Sequence, residues 1–145
     1  MTRMLFRVAL TTAAAILLAA CTGGPKPTTS PVHPSLGSLG PRPSSTATVT
    51  ILEPEDGSKI TGSTVHIVLK LDGATITTET TVALRPDQGH VHLYVNNALV
   101  SMNYGLEQDI PVQPGTLVLK AEFVAADHAP FNPRVWSGET IFTVQ

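Results

Sequence analysis

The chain has 145 residues, nine basic against eleven acidic side chains, a formal charge of -2, and a single cysteine. That length holds one domain once the flanking segments are set aside. The acidic balance and the absence of a Lys/Arg cluster exclude a nucleic-acid footprint. One cysteine excludes both an intrachain disulfide and a cysteine-rich zinc site.

In chain order, Met1 to Arg7 carries two arginines and no acid, and Val8 to Ala20 is uncharged and mostly apolar. An apolar run this short does not span a bilayer as a stable helix. A positive head, a short apolar run and small residues before a cut make a secretory signal. The run ends Leu18-Ala19-Ala20-Cys21, which matches a lipobox. The expectation is cleavage of residues 1–20, a diacylglyceryl group on the Cys21 thiol and acylation of the new amine, rather than an ordinary signal peptide with an incidental cysteine. Each buried CH₂ of such chains contributes about 0.8 kcal/mol of membrane affinity. The mature chain loses Arg3 and Arg7, leaving seven basic residues against eleven acids and a charge of -4.

Residues 21–46 read as a disordered spacer. Pro25, Pro27, Pro31, Pro34, Pro41 and Pro43 lie among Ser, Thr and Gly, with little to bury. Such a composition favours extended, polyproline-like chain and reaches on the order of 70 Å at full stretch. Glycosylation of its Ser/Thr-Pro stretch is left open, and His33 reads as solvated.

Residues 47–145 read as one all-β domain. Ala47–Leu52 alternates, and Pro54-Glu55-Asp56-Gly57 supplies a turn. Thr64–Leu71 sets Val65, Ile67, Leu69 and Leu71 on one face and His66 with Lys70 on the other. Thr75–Leu84 is threonine-rich and predicts a weaker strand near an edge. His90–Val95 follows, Asn96-Asn97 suits a tight hairpin turn, and Ala98–Met102 returns. Leu106–Val112 precedes the Pro114-Gly115 turn, and Thr116–Val124 aligns Leu117, Leu119, Ala121 and Phe123. Ala125–Arg134 reads as a loop, before Trp136 and a closing strand at Thr140–Val144. Seven to eight short strands at this spacing predict an immunoglobulin-like antiparallel β-sandwich, with a barrel as the alternative.

No nucleophile elbow, phosphate loop, metalloprotease helix or dinucleotide fingerprint is present, so no enzyme is expected. Glu53 and Glu55 read as solvated acids beside a turn. The chemistry-bearing stretch is Gly89-His90-Val91-His92-Leu93, where alternation places His90, His92 and Tyr94 on one face. Imidazoles at i and i+2 of a strand are within reach of one ion. Asp127-His128 adds a carboxylate and a third imidazole, and Met102 a thioether. Imidazole suits zinc and copper, and a thioether shifts the preference toward copper(I). Three readings of the set stay open: a structural or recognition role, metal ligation, and pH sensing. No cofactor is required under the first.

The ordered pieces Pro54-x-Asp56-Gly57, Gly89-His90-x-His92-Leu93, Pro114-Gly115-Thr116, Asp127-His128-x-Pro130, Pro133-x-Val135-x-Ser137 and Phe142-Thr143-Val144 resemble a family of small exported bacterial domains of unknown function. That resemblance implies an immunoglobulin-like fold and no established activity. The chain departs from it at Val91, where a middle histidine is usual, and at Leu117-Val118, where a His-Thr pair is usual. His92, Met102 and His128 are also similar in order to the ligands of periplasmic copper chaperones, but Pro130 stands where the last methionine belongs. The sequence therefore predicts a lipid-anchored module on the extracytoplasmic face of the cell membrane. Its partner would be an envelope protein or a small ligand. The rival is a copper- or zinc-binding lipoprotein using His90, His92 and His128, with Asp127 and Met102 as further ligands.

Overall fold

Alternation of branched apolar and polar residues forces the chain after residue 46 into strands with one wet and one dry face. The computed structural model describes residues 41–145. The expected signal peptide 1–20, Cys21 and the expected spacer as far as residue 40 lie outside the described residues. Ten strands follow in order: β1 (Thr48–Glu53), β2 (Lys59–Ile60), β3 (Thr64–Asp72), β4 (Thr75–Ile76), β5 (Gln88–Val95), β6 (Ala98–Asn103), β7 (Glu107–Pro111), β8 (Gly115–Ala125), β9 (Pro130–Trp136) and β10 (Thr140–Val144). The described residues contain no helix.

One sheet has the order β1-β3-β7, and the other runs β2-β10-β8-β5-β4, with β6 also on β5 and β9 also on β8. The two-residue strands β2 and β4 pair parallel, with β10 and β5 respectively; the other pairings are antiparallel. This is an immunoglobulin-like sandwich. Val49, Val65, Ile67 and Leu69 from the first sheet meet Val91, Leu93, Leu119, Ala121, Phe123 and Phe142 from the second, all buried. Full burial of each large apolar side chain contributes about 1.5–3 kcal/mol. Phe123 and Phe131 stack with ring centroids 5.2 Å apart.

The β5–β6 hairpin turns on Asn96 and Asn97, with φ of 50° and 66°. Two successive positive φ values give a turn whose twist matches the flanking strands. Asn96 also ties the hairpin to β8: its N–H donates to the Val118 carbonyl at 2.9 Å, and its Oδ1 accepts from the Val118 N–H at 3.0 Å.

Two expectations are corrected. Thr75–Leu84 forms a strand only at Thr75–Ile76. Beyond it, the Thr77 hydroxyl accepts from the Glu79 N–H and the Thr81 hydroxyl from the Ala83 N–H. These local bonds compete with a ladder, and Val82 is left exposed. The expected loop to Arg134 instead becomes strand from Pro130. A proline-bearing strand is tolerated at an edge, and β9 pairs with β8 alone.

Candidate functional site

Strand register decides which side chains share the outer face of the second sheet. His92 lies opposite Met102 on β6 and opposite Glu122 on β8, and Glu122 lies opposite Trp136 on β9. Directly opposed residues on antiparallel strands project to the same side, with Cβ atoms about 4.5–5.5 Å apart. His90, His92, Met102, Glu122 and Trp136 therefore belong to one surface. His90 and His92 were expected on the polar face, yet they are 0% and 5% exposed. The reason is the segment after β8, which folds back over them.

That segment is tightly held. The Asp127 Oδ1 accepts from the Ala129 N–H at 3.1 Å, the His128 N–H donates to the Ala125 carbonyl at 2.9 Å, and His128 adopts a φ of 62°. Positive φ is uncommon outside glycine, although Asn, Asp and His are enriched there. Arg42 clamps the outside: it donates to both Asp127 oxygens, at 2.5 and 3.0 Å, and to the carbonyls of Ala129 and Pro130. Arg42 comes from within residues 21–46, which sequence assigns to the spacer.

The result is a row of three imidazoles. The His128 ring stacks on His90 with centroids 4.1 Å apart and planes 12° apart. Its Nδ1 lies 3.3 Å from Nε2 of His92, with ring planes 14° apart. One of these nitrogens carries the proton and the other accepts it. The Nε2 of His128 meets the Thr80 hydroxyl at 3.3 Å. The Nε2–H of His90 donates to the Ala126 carbonyl at 3.1 Å, and its Nδ1 is buried without a partner among the described residues. Tyr104 stands edge-on to His90 at 4.9 Å.

Burial, then the neighbouring His128, pushes His92 down to about 4. Burial, then His90, also lowers His128. Burial therefore favours the neutral ring at both His92 and His128. Burial pushes the Asp127 carboxyl up, but hydrogen bonds from Arg42 and the Ala129 N–H outweigh it, and the net shift is downward.

Beside the imidazoles lies a second polar group that sequence reasoning missed. Glu122 is fully buried. It takes two bonds from Arg134, Nε to Oε1 at 2.6 Å and Nη2 to Oε2 at 2.7 Å, and one from the Tyr94 hydroxyl at 3.1 Å. The Arg134 guanidinium lies 4.5 Å from the centre of the Trp136 ring, and Tyr94 meets the same ring edge-on at 5.2 Å. The available signal was the alternation of β8, where Lys120 and Glu122 interleave with buried Leu119, Ala121 and Phe123. For Arg42, it was a cation in a spacer with almost no charge.

The structure brings His90, His92 and His128 together and sets Met102 opposite His92 in register. Asp127 is engaged by Arg42 instead. Among the described residues, no three His, Cys, Asp or Glu side chains converge as ligands of one ion. Stacked rings explain this for His90 and His128, because near-parallel in-plane lone pairs do not meet at a point. A groove of about 460 Å³ lined by Glu53, Glu55, Ser58 and His66 contains none of these residues. No described helix is long and apolar enough to cross a membrane.

No family model matches the chain, and no curated protein matches it. Among solved structures, the fibronectin(III)-like modules of Clostridium thermocellum CbhA are similar, with a TM-score of 0.48 and 22% identity over 67% of this chain and 94% of that one. An engineered protein aligns with a TM-score of 0.41 and 14% identity over 68% of this chain and 20% of that one.

Proposed function

We propose that the chain is a lipid-anchored envelope protein presenting a non-catalytic, immunoglobulin-like binding module. The outer face of β5, β6, β8 and β9 is its binding face. One observation carries the choice of face: the sheet buries Glu122 and two imidazoles while leaving Met102, Tyr104, Arg134 and Trp136 exposed on the same side. Desolvating the Glu122 carboxylate is costly even when it is paired, and its bonds to Arg134 hold that guanidinium against the exposed Trp136 ring. The same arrangement fixes the tryptophan and the guanidinium in place before a ligand arrives, which lowers the entropy lost on binding.

Anchoring and face have separate tests. With Cys21→Ser, incorporation of radiolabelled palmitate should vanish, and the chain should leave the membrane fraction or stay uncleaved. Normal labelling of that variant would sink the anchor. A photo-crosslinking residue in place of Trp136 should give a discrete adduct in intact cells, and one in place of the exposed Leu52 on β1 should not. Equal yields at the two positions would sink the assigned face.

A further inference from the structure

Six strands among the described residues have a single neighbour: β1 and β7 pair with β3, β2 with β10, β4 and β6 with β5, and β9 with β8. Such a strand leaves a row of backbone N–H and C=O groups open, a template on which another chain can pair. Folded proteins block these edges with charge, proline or short length. Here β7 carries Glu107, Asp109 and Pro111, and β9 carries Pro130, Pro133 and Arg134. β1 ends on Glu53 with Pro54 next, and β2 and β4 are two residues long. β6 is different. Ala98–Asn103 is free of charge and proline, and none of its residues is buried. Leu99, Val100 and Met102 are 46%, 47% and 57% exposed, and Tyr104, just past the strand, is 44% exposed. Among the described residues, the backbone of β6 bonds only to β5.

Charge and register select the partner. The described residues hold all eleven acids but only six of the nine basic residues, since Arg3, Arg7 and Lys26 precede them. Two copies therefore repel over much of their surface. No Asp, Glu, Lys or Arg lies between Asp87 and Glu107, so β6 is an edge at which two copies meet without opposing like charges. The slip in register between Leu93 and Tyr94 leaves Val100 without a partner on β5, and Ser101–Asn103 beyond it run continuously against Val91–Leu93. An antiparallel pair centred on Met102 sets that residue opposite its own copy, Ser101 opposite Asn103, and Val100 opposite Tyr104. Alternation gives Val100, Met102 and Tyr104 one face, and Tyr104 stands against His90 on it. Apolar side chains then meet apolar ones on that face, and polar meet polar on the other.

We infer that β6 pairs with β6 of a second copy of this chain, antiparallel about a twofold axis at Met102, joining their seven-stranded sheets edge to edge. A contact of this kind uses the same surface on both copies and closes at two. The pairing goes beyond the binding face and does not need it, because it is made along the strand edge by backbone groups.

The test is sedimentation equilibrium on the full mature chain carrying Cys21→Ser. Monomer and dimer should exchange with a Kd tighter than about 100 µM, as suits a small interface. Met102→Lys opposes two like charges on the axis, and Val100→Lys puts one on each edge. Each should weaken association roughly tenfold or more, while circular dichroism stays that of the parent because both side chains are exposed. Leu52→Lys, on an exposed apolar residue of β1, should leave Kd unchanged. In the same background, Met102→Cys should oxidise to a disulfide-linked dimer, and Leu52→Cys should not. A Kd weaker than about 100 µM, a dimer that survives Val100→Lys and Met102→Lys, an equal loss from Leu52→Lys, oxidation at 52 as fast as at 102, or growth beyond two copies would each overturn the pairing. If the chain stays monomeric while position 136 still crosslinks in cells, the edge pairing falls and the binding face stands. If it dimerises through β6 while position 136 gives no adduct, the face falls and the pairing stands.

Discussion

Arg42 and Asp127 meet across 85 positions of sequence, with Nη1 2.5 Å from one carboxylate oxygen and Nη2 3.0 Å from the other. Both side chains are substantially buried, at 20% and 5% exposure. The pair fastens the end of the proline-rich stretch onto the loop that carries His128. The pair therefore ties the first described residues of the chain to the imidazole row.

Arg42→Ala removes one member of this pair and leaves Asp127 with only its local turn bond. Breaking a buried ion pair by deleting one partner costs about 3–5 kcal/mol, and the partial exposure of Arg42 places the expected loss at about 2–4 kcal/mol. The denaturation midpoint should fall accordingly. Asp127→Asn, which keeps the turn acceptor, should lose less. A midpoint for Arg42→Ala unchanged within error would show that the clamp contributes nothing to the fold.

Glu122 should respond in the opposite order to its partner. Arg134→Met strips two charge-assisted bonds from a fully buried carboxylate, leaving it the Tyr94 hydroxyl alone. The expected cost is about 3 kcal/mol or more. Glu122→Gln keeps the shape and an acceptor for both neighbours and should cost less. Trp136 fluorescence should shift in Arg134→Met, because the guanidinium no longer covers the ring. If Glu122→Gln proves the more destabilising change, the carboxylate is held by something other than Arg134.

Why some of this was legible in the sequence and some was not follows from range. Alternation over a strand is local, so Val65, Ile67, Leu69 and the Leu117–Phe123 series declared their faces directly. Asn96-Asn97 declared its turn, since both residues accept positive φ. The face of His90 and His92 was readable, but their burial was not, because the cover arrives from residues 126–129 through one cation in the spacer. Thr75–Leu84 misled because threonine hydroxyls satisfy nearby N–H groups as readily as β-branching favours a ladder. The Met102–His92 pairing depended on a register shift between Leu93 and Tyr94, and spacing alone does not reveal a bulge.

Gly89 opens the histidine strand for a steric reason. A Cβ there would run into the Val124 carbonyl and touch the Phe123 ring. Gly89→Ala should therefore push β5 away from β8 and destabilise by about 3 kcal/mol or more, a range seen only for named core lesions. Gly138→Ala meets nothing and should change stability by less than about 0.5 kcal/mol. Equal midpoints for the two variants would mean that β8 yields easily, and the tight β5–β8 approach would lose its structural meaning.

Acid should loosen the fold through His92. In the unfolded chain its imidazole takes a proton near pH 6.5, whereas in the fold burial and His128 hold it down to about 4. Between those values the unfolded state binds more protons, so stability rises with pH. The contribution is fully present above pH 6.5 and is lost as the pH falls toward 4. His128 is shifted the same way. His66 is shifted oppositely, through its bond to Asp109 and against the burial that lowers it, so its contribution is present in acid and lost as the pH rises. It is solvent-exposed and offsets little. For His92 the expected loss is about 1–3 kcal/mol after allowing for screening by nearby solvent. Tm should fall from pH 7 to pH 4.5. The slope should be shallower in His92→Leu, which removes the titrating group and keeps an apolar filler. Parent and variant tracking each other across that interval would mean that the His92 ring takes its proton in the fold as easily as in water, and that the His128 cover does not seal it.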